Sequence, residues 1–389
     1  MAAPPYDVVD TSEARALAAG NPDSFLHVTR PEIDLDPALD PHAEAVHQRG
    51  RASLEEFMRR GVLVRDAAPG LLVYRQRMGS AVQTGVVGVA SVAEYRSGVI
   101  AIHEHTRPDK ESDRSRHIEV LSAHDEPVFL MYRPDAPGAA AVAAIAEQVT
   151  SEAPEYDLTD ADGVRHTLWT VRDAQVTAAL VAAFATIPVL YVADGHHRSA
   201  AAARVAEVRG GDDAAQFPSV VFAADQLTVM AYNRVVRDLG GHSPASFQEA
   251  LEVGFHVQPS PLAPDLGRHQ FGVYSGGRWL LLTARAGSVQ ESDPIARLDV
   301  SLLQQQVLAP LLGIDDPRTD QRVAFVGGVR GTAELMRLVD SGDFAAAFAM
   351  HPTSPAEVMD VADLGEVMPP KSTWFEPKLA SGLFVHPIE

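Results

Sequence analysis

Apolar positions recur along the chain with two different periods. From residue 40 to 61, the spacing of Ala45, Leu54, Phe57 and Met58 suits an amphipathic helix. The runs "GVLVRD", "GLLVYRQRM" and "QTGVVGVASV" that follow have the β-branched, strand-like pattern. Before them, Asp10-Thr11-Ser12-Glu13 reads as an N-cap opening a helix, and "SFLHV" reads as extended chain. The segment from Ser97 begins as a strand, turns at Arg107-Pro108-Asp109 and continues as a very polar helix. A strand at "EPVFLMY", an alanine-rich helix over 137–149, a strand at "GVRHTLWTV" and a helix at "AQVTAALVAAFAT" lead to "IPVLYVA", a short buried strand. Strand and helix in alternation favour an α/β or α+β core.

After the helix that begins near Ser199, "FPSVVFAADQLTVMAYNRVVRDL" supplies two strands around Asp225-Gln226, and a soft boundary falls at Gly240-Gly241. The expected division is a first domain over 1–240 and a C-terminal α/β domain over 241–389. The second has a helix at "SPASFQEALEV", a hairpin turning at Gly276-Gly277, a helix through "SLLQQQVLAPLL", and strands at "RVAFVGG" and "AAAFAMHP" around a helix at "TAELMRLVD". The ending "MPPKSTWFEPKLASGLFVHPIE" carries Trp374, Phe375 and Leu383 among its prolines and reads as an ordered tail, with Lys371 and Lys378 keeping a lid role open. Met1 stands directly against ordered text, which leaves room for a start further upstream.

Composition narrows the function classes. A chain of 389 residues with 46% hydrophobic and 22% charged residues is long enough for two packed units. It has no run of about 18 apolar residues and no secretory leader pattern, so a cytoplasmic location is expected and a membrane partner is not. With no cysteine in the chain, thiolate zinc sites and cysteine nucleophiles are excluded by inventory. A net charge of −20 argues against a general affinity for nucleic acid, which needs clustered Lys and Arg.

Chemistry concentrates at "LYVADGHHRSAAAARVAEV". If a strand ends at Asp194 and a helix starts at Ser199, the turn between them offers free amides and the positive end of a helix dipole. Gly195 lets the backbone approach a ligand, Arg198 suits a phosphate or carboxylate, and Asp194 suits a general base or metal ligand. Capping alone explains Asp194 but not two histidines and an arginine in succession. A zinc site at His196-His197 is disfavoured, because adjacent residues diverge and no second histidine follows at helical spacing. "FVGGVRG" lacks both phosphate-loop spacings and reads as a strand-ending turn.

The turn "ADGHHRSAAA" resembles that of the ParB/sulfiredoxin-like superfamily, in which a Gly-x-[His/Arg]-Arg turn before a helix holds nucleotide phosphates. It is most similar to free L-serine kinases, whose turn reads Asp-Gly-His-His-Arg. The sulfiredoxin form has a cysteine where this chain has His196, and the ParB form usually has Glu-Arg at His196-His197. Over nearly its whole length the chain also resembles the bacterial family catalogued as domain of unknown function 1015, through "APPYDVV", "NPDSFLHVTRPEID", "HEHTRPDKESDRSRH", "YVADGHHRSAAAA", "YNRVVRDL" and "MPPKSTWFEPKLASGL". The resemblance implies a mixed α/β (α+β) protein with a ParB/sulfiredoxin-like catalytic core and a second α/β domain.

A second polar constellation lies in "HEHTRPDKESDRSRH". Its helical half, from Lys110, is equally well a solvated face with ion pairs, whereas His103-Glu104-His105 sits at a strand end, where α/β proteins place reacting groups. The serine kinases use an upstream glutamate with the aspartate of the turn, and Glu104 is the candidate for it, with Glu32 as its competitor. The resemblance therefore implies a small-molecule kinase that passes a phosphoryl group from ATP or ADP, with Mg²⁺, to free serine or a similar hydroxy-amino acid. Asp194 and Glu104 would be catalytic, and Gly195, His196, His197, Arg198 and Ser199 would hold the nucleotide. His103, Arg107, Lys110 and Arg116 would bind the amino acid. A nucleotide-binding regulator related to ParB and a phosphate-releasing hydrolase are the alternatives.

Overall fold

Most of the apolar runs become strands of two separate sheets, and the alanine-rich segments become helices. The computed structural model describes residues 1–389 and divides them into two compact units, Met1–Leu227 with Pro377–Glu389, and Thr228–Glu376. The fold is mixed α/β, as expected. The division lies after Leu227, ahead of the expected boundary at 240, and the last residues return to the first unit. There Ala3 bridges to Ser381, and the terminal strand His386–Pro387 pairs with Ala123–His124. No helix is long and apolar enough to cross a membrane.

The first unit runs α1 (Thr11–Ala18), α2 (Leu26–Thr29), α3 (Glu44–Arg59), β1 (Leu71–Met78), β2 (Ala81–Ser91), α4 (Val92–Ser97), β3 (Ile100–Ala101), α5 (Pro108–Leu121), β4 (Ala123–His124), β5 (Val128–Tyr132), α6 (Ala139–Thr150), β6 (Tyr156–Thr159), β7 (Arg165–Val171), α7 (Ala174–Phe184), β8 (Leu190–Asp194), α8 (His196–Arg209) and β9 (Gln216–Ala223). Eight of these strands form one sheet in the order β3-β8-β5-β9-β2-β1-β7-β6. All five residues of β5 are buried, which explains its unbroken apolar text. The helix foreseen at Asp10 is closed by a capping box between Asp10 and Glu13.

Two expected strands are not strands. In "SFLHV", Phe25, Leu26 and Val28 fold into the single turn of α2 and bury against Leu54 and Phe57, so packing on one cluster overrides their β propensity. "GVLVRD" opens as the end of α3: Gly61 takes φ +70°, and the amides of Val62 and Leu63 return to the Phe57 carbonyl. Such left-handed closure at a glycine terminates a helix, and here it consumes the residues that looked like strand.

The second unit has β10 (Thr228–Met230), β11 (Tyr232–Val236), α9 (Pro244–Gly254), β12 (Phe255–Ser260), β13 (Gln270–Ser275), β14 (Arg278–Ala284), α10 (Asp299–Leu303), α11 (Ala309–Leu312), β15 (Val323–Gly327), α12 (Gly331–Asp340), β16 (Ala346–Met350), α13 (Pro355–Asp363) and β17 (Trp374–Glu376). Six strands form an antiparallel sheet ordered β12-β14-β13-β16-β11-β15, and β10 pairs with β17. The helix read through "SLLQQQVLAPLL" contains a π-helical turn, Gln304–Leu308, just before Pro310, whose missing N–H removes a regular helical bond. Gly327 and Gly328 are packing glycines, since side chains there would meet Trp374 and the Ala231 carbonyl.

Candidate functional site

β3 and β8 are adjacent and parallel, with Ile100 opposite Leu190 and Ala101 opposite Tyr191, so the segments following them leave the sheet at the same end. The carboxyl ends of neighbouring parallel strands are where open α/β sheets hold ligands. His103 and Glu104 follow β3, and Asp194 to Arg198 follow β8. The two segments meet: the rings of His103 and His196 stand edge to face at 4.4 Å, and the Arg107 amide donates to His197 Nε2 at 3.1 Å.

A bulge aims the aspartate. Leu130 of β5 lies opposite Val192, but its neighbour Phe129 lies opposite Asp194, leaving Ala193 as an extra residue. The shift turns Asp194 away from the face of Val192 and onto that of Phe129. Next, Gly195 takes φ +97° and starts α8. A Cβ at Gly195 would lie 3.1 Å from Arg198 Nε, so glycine is what allows this guanidinium to fold back over the turn.

Arg198 consequently faces inward. Its Nη2 donates to Asp194 Oδ2 at 2.8 Å, its Nη1 donates to the Pro127 carbonyl, and Asp7 lies 3.8 Å away. From the tail, Lys378 Nζ donates to the other oxygen of Asp194 at 3.2 Å. Burial pushes the Asp194 carboxyl up, but Lys378 and Arg198 outweigh it and hold the group at about 2. At neutral pH it is an ionised acceptor and a poor base.

Other groups around the turn are held neutral or near their switching point. Burial lowers His103 to about 4, opposed by the Val192 backbone and Asp194, and drives His196 well below its ordinary value. Both rings are therefore uncharged at neutral pH; His103 leans on the Val192 backbone, and His196 Nε2 makes no hydrogen bond. Buried polar atoms without partners are uncommon and mark places where a ligand or water is received. Beneath Arg198, Glu126 accepts from the Tyr6 amide at 3.0 Å and the Ser381 hydroxyl at 2.5 Å. Burial lifts its carboxyl to about 7, with Arg198 opposing and Asp125 and Asp7 reinforcing. Asp125 in turn binds His117 Nε2 at 3.1 Å, and a cavity of about 10 Å³, room for roughly one water, lies between Arg114, Asp125, Glu126 and Arg198.

The helix start is open. Gly195 supplies no side-chain cap, and the first amide of α8 bonded within the turn is that of Ser199, to the Gly195 carbonyl at 2.9 Å. The amides of His196, His197 and Arg198 are thus the orphan donors of a fourteen-residue helix. Ser199 Oγ bonds back to the His196 carbonyl.

The remaining sequence candidates divide. Lys110 is close enough to influence His197, beside the Arg107 amide. The Arg107 side chain pairs with Asp109 at the surface, and Glu104 is exposed on the loop that carries His103. Arg116 lies apart, paired with Glu44 at 2.7 Å and Glu119 at 3.2 Å. Glu32 is engaged by Arg30 and Thr11. No group of three or more His, Asp or Glu side chains converges to hold a metal ion, so these residues do not by themselves form a site for the expected Mg²⁺.

Tyr6, Asp7 and Glu126 were not singled out by sequence reasoning. For Glu126 the local signal was "HDEPVFL", where two acids abut a strand of continuous apolar text, and Tyr6 and Asp7 lie in the quoted stretch "APPYDVV".

A family model described as "Protein of unknown function (DUF1015)" matches residues 1–301. No curated protein matches the chain. Among solved structures, SbnI with C-terminal truncation from Staphylococcus aureus is similar at 12% identity, covering 78% of this chain and 87% of that one with a TM-score of 0.40. Free serine kinase in complex with AMP is similar at 13% identity, covering 74% and 86% with a TM-score of 0.37. A conserved hypothetical protein from Pyrococcus furiosus is similar at 14% identity, covering 74% and 90% with a TM-score of 0.35.

Proposed function

The chain belongs to the DUF1015 family, and from that premise we propose that it is a small-molecule kinase that passes a phosphoryl group from a nucleotide, ATP or ADP, to free serine or a similar hydroxy-amino acid. The first unit is read as a ParB/sulfiredoxin-like catalytic core. The observation that carries the proposal is Asp194, ionised between Lys378 and Arg198 at the uncapped start of α8. Phosphoryl transfer needs anion donors and a placed carboxylate more than covalent help from the protein, and both are within one turn here.

In the proposed reaction the substrate hydroxyl oxygen bonds to the terminal phosphorus as the bridging P–O bond breaks and its electron pair leaves with the nucleotide. The amides of His196, His197 and Arg198 receive phosphate oxygens, with the neutral His103 and His196 rings as further partners. Asp194, held at about 2, orients the hydroxyl by accepting its hydrogen bond and is too weak a base to keep the proton. Glu104, exposed on the neighbouring loop, is assigned that proton. Arg198 is a positioning residue, since its guanidinium is taken up by Asp194 and Pro127, while Lys110 and the Arg107 segment flank the turn for the amino-acid carboxylate. No step is assigned to a metal.

The test is an NMR-monitored incubation with Mg²⁺, ATP or ADP, and a pool of free amino acids. O-phosphoserine is expected from the wild type and not from Asp194→Asn, and Glu104→Gln is expected to slow turnover while leaving nucleotide binding intact. Nucleotide binding without a phosphorylated product would overturn the kinase in favour of the ParB-related regulator. Inorganic phosphate released without an acceptor would indicate the hydrolase.

A further inference from the structure

The sheet of the first unit carries a second cavity, on the face away from the Asp194 side chain. It is a cleft of about 160 Å³ between α6 and the strands β1, β2, β5 and β9. Its body is apolar, formed by Val86, Val221, Val142 and Ala146. This is room for a cluster of waters or for a small organic acid.

Three polar groups meet that apolar body. Arg75 Nε donates to Thr84 Oγ1 at 3.0 Å and its Nη2 donates to Thr150 Oγ1 at 3.0 Å, with the guanidinium 5.3 Å over the Trp169 ring. No carboxylate pairs with Arg75, and its Nη1 has no protein partner. Burial accordingly lowers its pKa, reinforced by Arg77, with no acid opposing. Gln226 uses its Oε1 to accept the Thr84 amide at 2.8 Å, which fixes the side chain and leaves its amide nitrogen as a donor. Tyr132, its ring buried, also lines the cleft. A cleft with an apolar body and a few converging polar groups is the usual form of a small-molecule site. A cation fixed by two threonine hydroxyls and lacking an acid partner calls for an anionic ligand, and Arg suits a carboxylate held in two-pronged fashion.

We propose that this cleft binds a small aliphatic carboxylate, its carboxylate on Arg75 and Gln226 and its hydrocarbon body against Val86, Val142 and Val221. Glu147 stands exposed at the rim, placed to accept an ammonium, so the carboxylate has two sources: a plain aliphatic acid or an α-amino acid.

Isothermal titration of the full chain with isobutyrate and with L-valine tests this. Saturable binding of at least one probe is expected, weakened about tenfold or more by Arg75→Gln and by Ala143→Phe. Ala143 is an exposed position of α6 lining the cleft, so the phenylalanine fills the space without touching the core, and it decides the matter alone if Arg75→Gln does not fold. Tighter valine assigns the amino acid, with Glu147→Gln removing the preference, and tighter isobutyrate assigns the plain acid. No saturable binding of either probe at concentrations on the order of 10 mM, or binding indifferent to Ala143→Phe, overturns the proposal.

Discussion

Replacing Asp194 by Asn keeps the size and shape of the side chain and removes one charge from between two cations. The carboxyl is held at about 2 against 3.8 when unfolded, a difference equivalent to about 2 kcal/mol of native-state stability. Because the folded value is the lower, this contribution is full above about pH 4 and is lost as pH falls through 2. With the carboxylate about 25% exposed, solvent softens the loss, so the upper values for broken buried pairs do not apply. For a unit of this size the melting temperature should fall by about 4–8 °C at pH 7, with the gap narrowing at acid pH. Nucleotide binding should be retained or tightened, since a negative charge leaves the phosphate site, while phosphoserine formation should fall by about 100-fold or more. Thermal melts, calorimetric nucleotide titration and phosphorus NMR on one preparation read all three. A variant that melts with the wild type and still makes product refutes both the electrostatics and the role of Asp194.

Three further outcomes follow from the same site. Glu126 has a folded value of about 7, above its unfolded 4.5, so the stability it contributes is full below pH 4.5 and is lost, by up to about 3 kcal/mol, as pH rises through 7; urea unfolding of Glu126→Gln at pH 5 and 8 should lack that loss, and an unchanged pH slope contradicts it. His103, at about 4 against 6.5, contributes fully above pH 6.5 and loses up to about 3 kcal/mol as pH falls through 4. His103→Phe should therefore be more stable than the wild type at pH 5 and inactive, whereas retained activity would make the histidine a packing residue. Lys378→Met keeps the side-chain stem and removes the ammonium; stability should fall by about 1 kcal/mol and turnover should drop, and full turnover would leave the tail a packing element only.

Sequence periodicity located β5, buried along its whole length, and the span of α3, although Ala45 and Met58 turn to solvent and Val46, His47 and Gly50 join Leu54 and Phe57 on its buried face. It failed where a local closure competes with the pattern: Gly61 diverts "GVLVRD" into a helix end, and Phe57 draws Phe25 and Leu26 into a turn. At the site, the strand–turn–helix around Asp194 was readable because its glycine, cap position and apolar flanks are contiguous. The pairing of β3 with β8, which joins His103 to His196, is a sheet property that no local pattern encodes. Arg198 was expected to face a ligand and instead folds inward, because the space above Gly195 and the Pro127 carbonyl are visible only in three dimensions. Lys378 reaches Asp194 across 184 positions of sequence, and Glu126 joins Tyr6 to Ser381. Their burial follows from the return of the tail to the first unit, which a boundary placed at 240 did not foresee.

The most direct measurement is an ADP titration followed by amide resonances in a two-dimensional ¹H–¹⁵N spectrum. If a phosphate is received at the start of α8, the amides of His196, His197 and Arg198 shift together and saturably while those near the end of the helix stay in place. Saturable ADP binding that leaves these three amides unmoved would contradict the phosphate-holding turn.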